Sequence, residues 1–587
     1  MSQNVTWPPS LSAGEFFVPG TCFVLQPQAE IGTAAGSEQR RRDRTLRNLY
    51  LTAALADVPR LLGAIDRNPY RPTYGCLDRQ FWHYRTASFP SQMYQEGALP
   101  LALVYATKLP GNRWHGDRRV RELAVAAIRF AARSSHADGS CDDYYPFERA
   151  LGAAVFSLAA AAEAYRLLDP HDEEILAWFE RRCRWLIRHD ESGRLANHQA
   201  LAALGLLRVA RITGREAYRD AATSRLRTLL SWQSDEGWFE EYGGADPGYQ
   251  TVTIDCLAKI RQLTGDDGLD DPLRRALEFA RQFMHPDGSF AGEYGSRGTY
   301  HFYPHGMELL AAENADAAAL ADGFLQGLAS GKQASFSDDR MFAHRLGNMI
   351  EAYVDWSPDR PASSDSPAGE SVRYFRGARL MVRQTPNAHT VISAARGGVF
   401  KHIGPQRTVT DAGLIVEAAD GRVAVSQMHD PDRTAEGLTE GQPPQQQGMS
   451  VAGPLCWSRF ETATPIKQAV FHTGMATVGR RCRNTVRRLL QRRLITGRRK
   501  CPIHLRRVVE FLPQPSPDGP ALRVTDTIEL TSPRLRVRRM SLGTDHQAAY
   551  VAASGIYQEG VLQPWTDLQG YVDELNVRRR VTVVREI

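Results

Sequence analysis

The chain has 587 residues, of which 42% are hydrophobic and 24% charged, and its formal net charge is +6. This length is too great for one ordinary core and predicts two or three domains. The composition excludes global disorder, and so small a net charge indicates no particular class of partner. The eight cysteines are scattered without a CxxC pair, which favours reduced thiols over a disulfide framework or a metal site.

The first half of the chain carries a helical pattern. Residues 1–38 are rich in Pro, Gly and Ser and predict an irregular segment, whereas apolar residues recur every three or four positions through 39–357. That region would hold about six helical hairpins if each takes about 50 residues. Such hairpins curl into an α/α toroid, complete or open, and a straight helical solenoid is the alternative.

Four acidic turns mark the repeat. Asp138, Asp190, Asp235 and Asp287 each begin a polar loop, at intervals of 52, 45 and 52 residues. The regular interval predicts that these loops lie at the same end of the helical array. The segment DEGWFEEYGGADPGYQ at 235–250 is too long and too aromatic for an ordinary helix connection, so it predicts the mouth of a binding cleft.

The second half predicts a β domain. A linker rich in Pro and Ser at 358–370 precedes alternating apolar and polar runs through 371–587, which predict an antiparallel β-sandwich. A basic insertion at 479–507 carries twelve Lys or Arg and no acid. This charge predicts contact with an anionic polymer or an anionic membrane surface. No nucleic acid is expected, because the rest of the chain is not basic.

The sequence of the N terminus and the hydropathy of the chain indicate the cellular compartment. The chain does not open with a basic segment followed by an apolar run, and we find no run of about 18 apolar residues. The expectation is a cytoplasmic protein.

Residues suited to acid–base chemistry occur on three predicted loops. Asn197 and His198 open an apolar helix, and Tyr249 lies 52 residues after Asn197, one hairpin further on. The third loop, SRGTYHFYPHGMELL, has five titratable or cationic residues: Arg297, Tyr300, His301, Tyr303 and His305. An N-cap role for Asn197 and a packing role for Tyr249 are the structural alternatives.

These residue types suit the removal of a proton next to a carboxylate. In a uronic acid, donors from Asn, His or Arg neutralise the carboxylate and stabilise the charge that develops on it. A base then removes the C5 proton and an acid protonates the departing 4-oxygen, which are roles that His and Tyr can fill. The outcome is β-elimination, or C5 epimerisation when the proton returns to the opposite face.

A helical toroid followed by a β-sandwich, with Asn197-His198 and the 235–250 segment, resembles the heparinase II/III and alginate lyase families. Those families carry an Asn-His pair and a later Asp-Gly, Glu, Ser-Pro-x-Tyr-His segment. The resemblance implies that Asn197 neutralises the substrate carboxylate and that His198 is the base or a carboxylate partner. It implies that Tyr249 is the general acid, with the role of base also open to it.

Two positions depart from the family pattern. Gln250 stands where the families have His after the tyrosine. At the start of the β domain, Arg407 and Val409 occupy the histidine positions of the families' His-x-His-x-Asp segment, while Asp411 matches. His402 is the nearby histidine that could take over.

We therefore expect a sugar-binding cleft built from these loops. The predicted catalytic residues are Asn197, His198, Tyr249, His301 and His305. The predicted substrate-binding residues are Trp82, His83, Tyr84, Arg85, Tyr94, Glu96, Tyr144, Glu241, Tyr242, Arg297, Tyr300 and His402. No cofactor is expected, and a structural divalent metal in the β domain is left open.

Three functions fit these residues. The first is a carbon–oxygen lyase that cleaves an acidic, uronic-acid-containing polysaccharide or oligosaccharide, with a C5-epimerase as its variant. The second is an inverting glycoside hydrolase, which needs two carboxylates; the candidates are Asp142, Asp143, Glu148, Glu240, Glu241, Asp246 and Glu293. The third is a non-catalytic polysaccharide-binding protein of an exopolysaccharide assembly system.

Overall fold

The computed structural model describes residues 34–190, 193–336, 339–361, 369–405, 407–438, 448–458, 464–494, 497–512, 520–545, 556–560 and 562–587. Residues 1–33 of the predicted N-terminal segment, 362–368 of the linker and 495–496 of the basic insertion lie outside the described residues, and residues 34–38, which were predicted to be irregular, are helical. Helices dominate the described chain as far as Asp355, and strands dominate it from Ser371 onward.

Helices of the first domain form two concentric layers. They are α1 (Ala34–Ala64), α2 (Arg79–Trp82), α3 (Ala98–Ala106), α4 (Arg118–Ser134), α5 (Leu151–Leu168), α6 (Glu173–Arg188), α7 (Ala196–Thr213), α8 (Glu216–Leu230), α9 (Pro247–Thr264), α10 (Asp270–Arg281), α11 (His305–Leu310), α12 (Ala315–Ala329) and α13 (Asp339–Asp355). Each odd-numbered helix from α3 to α13 packs against the next, and α13 packs back against α3. The predicted α/α toroid is confirmed, and its inner ring is closed.

Inner and outer helices differ in their burial. The inner helix α5 has buried side chains around its whole circumference, because helices surround it. By length and composition α5 is the one helix in the described residues that could cross a membrane, but 78% of it is buried inside the protein. The outer helices α4 and α6 are amphipathic and bury one face only.

The repeated acidic turns lock each loop onto the neighbouring hairpin. Gly139 and Gly237 each follow an acidic residue in a loop that leads from an outer helix to the next inner helix, and their φ angles are 89° and 94°. A side chain at either position would collide with the backbone of a neighbouring outer helix, at Arg181 or at Arg275. All loops of this class lie at one end of the closed ring, which we call the acidic-turn end.

Strands of the second domain form two main antiparallel sheets. They are β2 (Ser371–Phe375), β3 (Leu380–Gln384), β4 (His389–Ser393), β5 (Val399–Ile403), β6 (Thr408–Asp411), β7 (Gly413–Ala418), β8 (Val423–Val425), β9 (Thr434–Leu438), β10 (Gly448–Trp457), β11 (Lys500–Phe511), β12 (Leu522–Leu530), β13 (Val537–Gly543), β15 (Thr566–Asp567) and β16 (Arg580–Glu586). β2 to β6 pair in chain order, and the larger sheet has the order β15-β13-β7-β8-β10-β11-β12-β16, with β9 also paired to β10. The helices of the second domain are α14 (Pro465–Ala476), α15 (Arg483–Leu494) and α16 (Val572–Arg578).

An apolar layer joins the two sheets. Met381, Ile392 and Phe400 from the smaller sheet belong to the same buried cluster as Val451 and Val509 from the larger sheet. Every second residue of β11 is buried and the residues between them are half-buried or exposed, as the pleat of a strand with one well-covered face requires. The second domain is therefore the antiparallel β-sandwich that the alternating pattern predicts.

The toroid and the sandwich are joined by apolar and polar contacts. Phe375 of the sandwich lies in the apolar cluster of the toroid. Glu236, in an acidic turn, accepts hydrogen bonds from the backbone amides of Gly377 and Ala378, each at 2.9 Å. A short strand of the toroid, β1 (Ser335–Phe336), pairs with β14 (Ile556–Tyr557). The acidic-turn end therefore faces the β-sandwich.

Candidate active site

Asp246 positions two of the three predicted loops. As the N-cap of α9, its side chain accepts a hydrogen bond from the backbone N of Tyr249 at 3.0 Å. Its other oxygen accepts a bond from the backbone N of Arg297 at 2.9 Å. Pro247 occupies the first turn of α9, where a missing N–H costs nothing. The start of α9 and the loop before α11 are thus held against each other.

Glu241 joins the third loop to them. α7 has no side-chain cap at its N-cap residue. Glu241 Oε1 instead accepts bonds from the backbone N of Asn197 at 3.0 Å and from its Nδ2 at 2.6 Å. Burial raises the pKa of Glu241 to about 7, although the bonds from Asn197 act to lower it. The Glu241 carboxyl therefore exchanges its proton near neutral pH.

The Asn197–Glu241 pair also has unused hydrogen-bonding capacity. Asn197 Oδ1 and Glu241 Oε2 are buried and have no hydrogen-bond partner within the described part of the chain. Buried polar atoms in native proteins are seldom left unpaired, because their desolvation is costly. The pair is therefore suited to a polar ligand whose own donor and acceptor complete it.

Burial sets the protonation states of three further predicted residues. Burial lowers the pKa of His198 to about 4. Burial, with the Arg345 guanidinium, lowers the pKa of His301 to about 3. Burial raises the pKa of Tyr249 above its ordinary value. At neutral pH both imidazoles are therefore neutral and able to accept a proton, whereas the phenol is protonated and able to donate one.

Ring contacts join these residues into one wall inside the barrel. Neighbouring ring centroids lie between 4.7 Å and 6.0 Å apart, and the order along the wall is Tyr249, His301, Tyr303, His344, Phe156 and His198. Behind this wall, Glu96 Oε1 lies 2.9 Å from His344 Nδ1. The predicted substrate-binding residue Glu96 is thus buried in support of the wall.

Aromatic and arginine side chains lie at the mouth of the barrel. Arg297 covers the ring of Tyr242 at 4.3 Å. Arg340 covers the ring of Tyr144 at 4.5 Å and donates a hydrogen bond to its hydroxyl at 2.7 Å. Tyr144 and Arg297 are also among the groups that influence the pKa of Tyr249, so they lie near the wall. The predicted residues Tyr144, Tyr242 and Arg297 therefore belong to the same region.

The sandwich contributes a histidine that the sequence reasoning missed. His429 Nε2 lies 3.4 Å from the carbonyl oxygen of Gly243, beside Glu241. Burial, with the Arg396 guanidinium, lowers the pKa of His429 to about 4. Arg396 is itself buried and donates to the carbonyls of Gly295 and Ser296. The polar segment MHDPDR, which follows the buried strand β8, is the sequence feature that could have indicated His429.

The predicted catalytic residue His305 lies deeper in the barrel. Residues 299–304 form neither helix nor strand, and α11 begins only at His305. Its Nε2 hydrogen-bonds to Asp355 at 2.7 Å, and its Nδ1 lies 3.4 Å from Glu351, which also pairs with Lys259. His305 Nδ1 also lies 3.8 Å from Asp255, which is six residues, or about 9 Å, further along α9 than Tyr249. The structure therefore places His305 in a buried ionic network and outside the ring wall.

Three other residues near the predicted motifs have structural partners. Tyr300 hydrogen-bonds to Glu293 and lies under Lys401, whose Nζ is 5.2 Å from the ring centroid. His402, on β5, lies 2.8 Å from the hydroxyl of Thr390. Asp411, which matches the families' motif, forms a buried ion pair with Arg507 at 2.8 Å. Among the described residues, no three His, Cys, Asp or Glu side chains form a metal-binding group.

The first outer-to-inner loop carries the remaining predicted sugar contacts. Trp82 donates from Nε1 to the carbonyl of Ala64 at 2.8 Å, which holds it against the end of α1. His83 and Tyr84 are exposed and stack edge to face at 4.8 Å, and Arg85 is also exposed. Tyr94 packs against the toroid core. This loop lies at the acidic-turn end, since it connects α1 to the inner helix α3.

No protein-family model matches the sequence, and no curated protein matches it. Among solved structures, the chain is similar to a variant of chondroitin AC lyase from Streptomyces coelicolor A3, with 12% identity, a TM-score of 0.44, and coverage of 89% of this chain and 69% of that one. It is similar to heparinase III, with 10% identity, a TM-score of 0.40, and coverage of 79% and 66%. It is also similar to a β-L-arabinofuranosidase from Geobacillus stearothermophilus T6, with 12% identity, a TM-score of 0.33, and coverage of 73% and 94%. At these identities the likeness is one of fold alone.

Proposed function

We propose that the protein is a polysaccharide lyase that cleaves a uronic-acid-containing chain by β-elimination. The observation that carries this proposal is the buried pair of Asn197 and Glu241 beside neutral imidazoles and a protonated phenol. The pair suits a carboxylate, and the imidazole and the phenol suit the two proton transfers of an elimination.

The substrate carboxylate binds at the Asn197–Glu241 pair. The second N–H of Asn197 Nδ2 donates to one carboxylate oxygen, and the protonated carboxyl of Glu241 donates from Oε2 to the other, while Asn197 Oδ1 accepts from a sugar hydroxyl. Removing the C5 proton moves negative charge onto this carboxylate, and both donors then bind it more strongly. They act mainly in the transition state, which is where binding accelerates the reaction.

The proton transfers fall to His198 and Tyr249. The neutral imidazole of His198 takes the C5 proton, the C4–C5 double bond forms, and the bond between C4 and the glycosidic oxygen breaks. Tyr249 gives its phenolic proton to that oxygen, which becomes the hydroxyl of a new reducing end. The resulting phenolate recovers its proton from solvent or from the His198 imidazolium, so the cycle needs no other reactant.

Most of the candidate carboxylates are already hydrogen-bonded within the protein, which is evidence against an inverting hydrolase. Asp142 accepts bonds from the backbone amides of Phe147 at 2.8 Å and Arg149 at 3.0 Å, which hold its loop. Four other candidates also have protein partners: Asp143 with Ser91, Glu148 with Tyr144 N, Glu240 with Arg194, and Asp246 with Tyr249 N. Glu241 and Glu293 each have one oxygen with a protein partner and one oxygen without a hydrogen-bond partner among the described residues. An inverting hydrolase needs two carboxyls that face the scissile bond across room for a water.

The test follows two products at once on a panel of uronic-acid polysaccharides. A lyase gives equal numbers of new reducing ends and of unsaturated uronyl ends, which absorb in the ultraviolet. Reducing ends without this absorbance would establish a hydrolase, and solvent deuterium at C5 without cleavage would establish an epimerase. Binding of a polysaccharide with none of these products would support the non-catalytic function.

A further inference from the structure

A basic helical hairpin projects from the β-sandwich between β10 and β11. It consists of α14, a short 3₁₀ turn at Gly479–Arg481, and α15, and we call Pro465–Leu494 the basic hairpin. The sequence from 462 to 509 contains no Asp or Glu. The hairpin therefore carries a positive charge that its own residues do not neutralise.

One side of the basic hairpin faces the toroid. Phe471 meets the ring of Tyr145 edge to face at 5.3 Å, and Met475 is buried. Arg487 acts electrostatically on the carboxyl of Glu148 in the same loop of the toroid. A cavity of about 440 Å³ remains between α14 and that loop. The hairpin thus rests on the acidic-turn end through a few side chains on its inner side.

The outer side of the basic hairpin combines arginines with exposed aliphatic side chains. Four aliphatic residues are largely exposed: Ile466 (78%), Val470 (68%), Val478 (69%) and Leu489 (64%). Arg480, Arg481 and Arg488 are also exposed, and within the part of the chain that the structure describes they form no ion pair. Ile466 and Val470 are four positions apart on α14, so they share one face.

This combination favours a lipid surface over a soluble polyanion. A polysaccharide or another soluble polyanion would pair with the arginines but would leave the aliphatic side chains in water. An anionic bilayer accepts both, because the acyl boundary buries aliphatic groups while the headgroups pair with arginine. An exposed apolar patch rimmed by cations is the surface that such an interface requires.

We propose that the basic hairpin docks the protein on anionic membrane surfaces, with its exposed aliphatic side chains inserted among the lipids. The hairpin leans on the acidic-turn end of the toroid, so docking holds the mouth of the barrel beside the bilayer. This inference stands apart from the reaction, because the residues that carry it lie outside the Asn197–Tyr249 region.

The test is co-sedimentation of the full chain with vesicles of phosphatidylcholine, with and without phosphatidylserine. We expect sedimentation only with the anionic vesicles and weakening by salt. The double variant V470D/L489D removes the apolar contact and adds two negative charges, whereas the triple variant R480Q/R481Q/R488Q removes three positive charges and keeps the apolar side chains. Each arginine contributes about fivefold in affinity, so the triple variant should bind about a hundredfold more weakly.

The matched control is Val577→Asp, since Val577 is 79% exposed on α16, away from the basic hairpin. This variant should sediment like the parent protein, and circular dichroism should confirm that all variants remain folded. Absence of sedimentation by the parent protein would overturn the proposal. Full sedimentation of V470D/L489D would also overturn the proposal, because charge alone would then explain binding. Loss of retention of R480Q/R481Q/R488Q on a soluble polyanion column would strengthen that conclusion.

Discussion

Asn197 Nδ2 lies 2.6 Å from Glu241 Oε1, although the two residues are 44 positions apart in the chain. This contact ties the first turn of α7 to the loop before α9. It fixes the orientation of the Asn197 amide, and it leaves Glu241 Oε2 without a hydrogen-bond partner in the described residues. A carboxyl held in this way has different effects on a bound uronate when it is protonated and when it is ionised.

Glu241→Gln should remove the alkaline limb of the pH profile. Burial raises the pKa of Glu241 to about 7. In the proposed reaction, the ionised carboxylate repels the uronate carboxylate above that pH, so kcat/KM of the parent protein should fall about tenfold per pH unit. Glutamine stays neutral and still donates, so the variant should keep its activity at high pH. Initial rates across the pH range measure this directly.

Glu240→Gln is the control, because Glu240 pairs with Arg194 at 2.9 Å on the neighbouring side of the same turn. This variant should retain the parent profile. An alkaline limb that persists unchanged in the Glu241 variant would assign that limb to another group and remove Glu241 from the binding of the carboxylate.

Tyr249→Phe should lower kcat by about 10²- to 10⁴-fold, the usual contribution of a positioned acid, with little change in KM. The ring still packs on His301, whose centroid lies 5.2 Å away, so the fold should be retained. Tyr242→Phe is the matched control, because phenylalanine keeps the ring that Arg297 covers. Equal losses in both variants would show that the phenol of Tyr249 has no special part in the reaction.

His305→Gln should flatten the alkaline side of the stability profile. Burial and Lys259 lower the pKa of His305, but Glu351 and Asp355 raise it more, to about 9. The unfolded chain has a histidine pKa of about 6.5, so the folded state holds this proton more tightly. The resulting stability is fully present below about pH 6.5 and is lost as the pH rises through about 9. Thermal unfolding midpoints at several pH values measure the effect.

His402→Gln supplies a control of opposite sign. Burial lowers the pKa of His402 to about 4, so the unfolded state gains its proton first. The buried, neutral His402 therefore destabilises the folded state as the pH falls from about 6.5 through 4, and it has no such effect in the alkaline range. The His402 variant should therefore change only the acid side. Identical alkaline profiles for the parent protein and the His305 variant would contradict the ionic network.

Much of the fold could be predicted because its causes are local in sequence. The interval between acidic turns reflects a repeated packing rule, in which a glycine such as Gly139 or Gly237 must fit against a neighbouring outer helix. The change from helical to alternating periodicity marks the start of the sandwich. Closure of the inner ring could not be predicted, because it depends on a contact between α3 and α13, which are far apart in the chain.

Prediction of the site was less complete for a similar reason. Asn197, His198 and Tyr249 begin helices of the repeat, so their spacing places them at one end of the barrel. His305 lies in the same short motif as His301, but it begins α11 and lies deeper in the barrel. His429 approaches from the sandwich, and no interval in the sequence relates it to the toroid. Contacts between domains depend on how the domains pack, which sequence patterns do not encode.

Gly152, at the start of α5, should be required for the position of the His198 ring. A Cβ atom at residue 152 would lie 2.8 Å from His198 Cε1, closer than carbon atoms normally approach. Gly152→Ala should therefore displace the imidazole and lower kcat by at least tenfold. Overpacking of a buried site costs about 1–3 kcal/mol, so the free energy of unfolding should fall by a similar amount.

Gly205→Ala separates displacement of the ring from a general loss of stability. At that position on α7 the added Cβ would lie 3.3 Å from Leu158, an apolar contact inside the same barrel. We expect the Gly205 variant to lose some stability and to keep most of its activity at a temperature where it is folded. A parallel loss of activity in both variants would mean that the barrel tolerates no added volume, and the effect at Gly152 would then carry no information about His198. A loss confined to Gly152→Ala would tie the reaction to the position of that imidazole, because the two substitutions add the same methyl group to the same layer of helices.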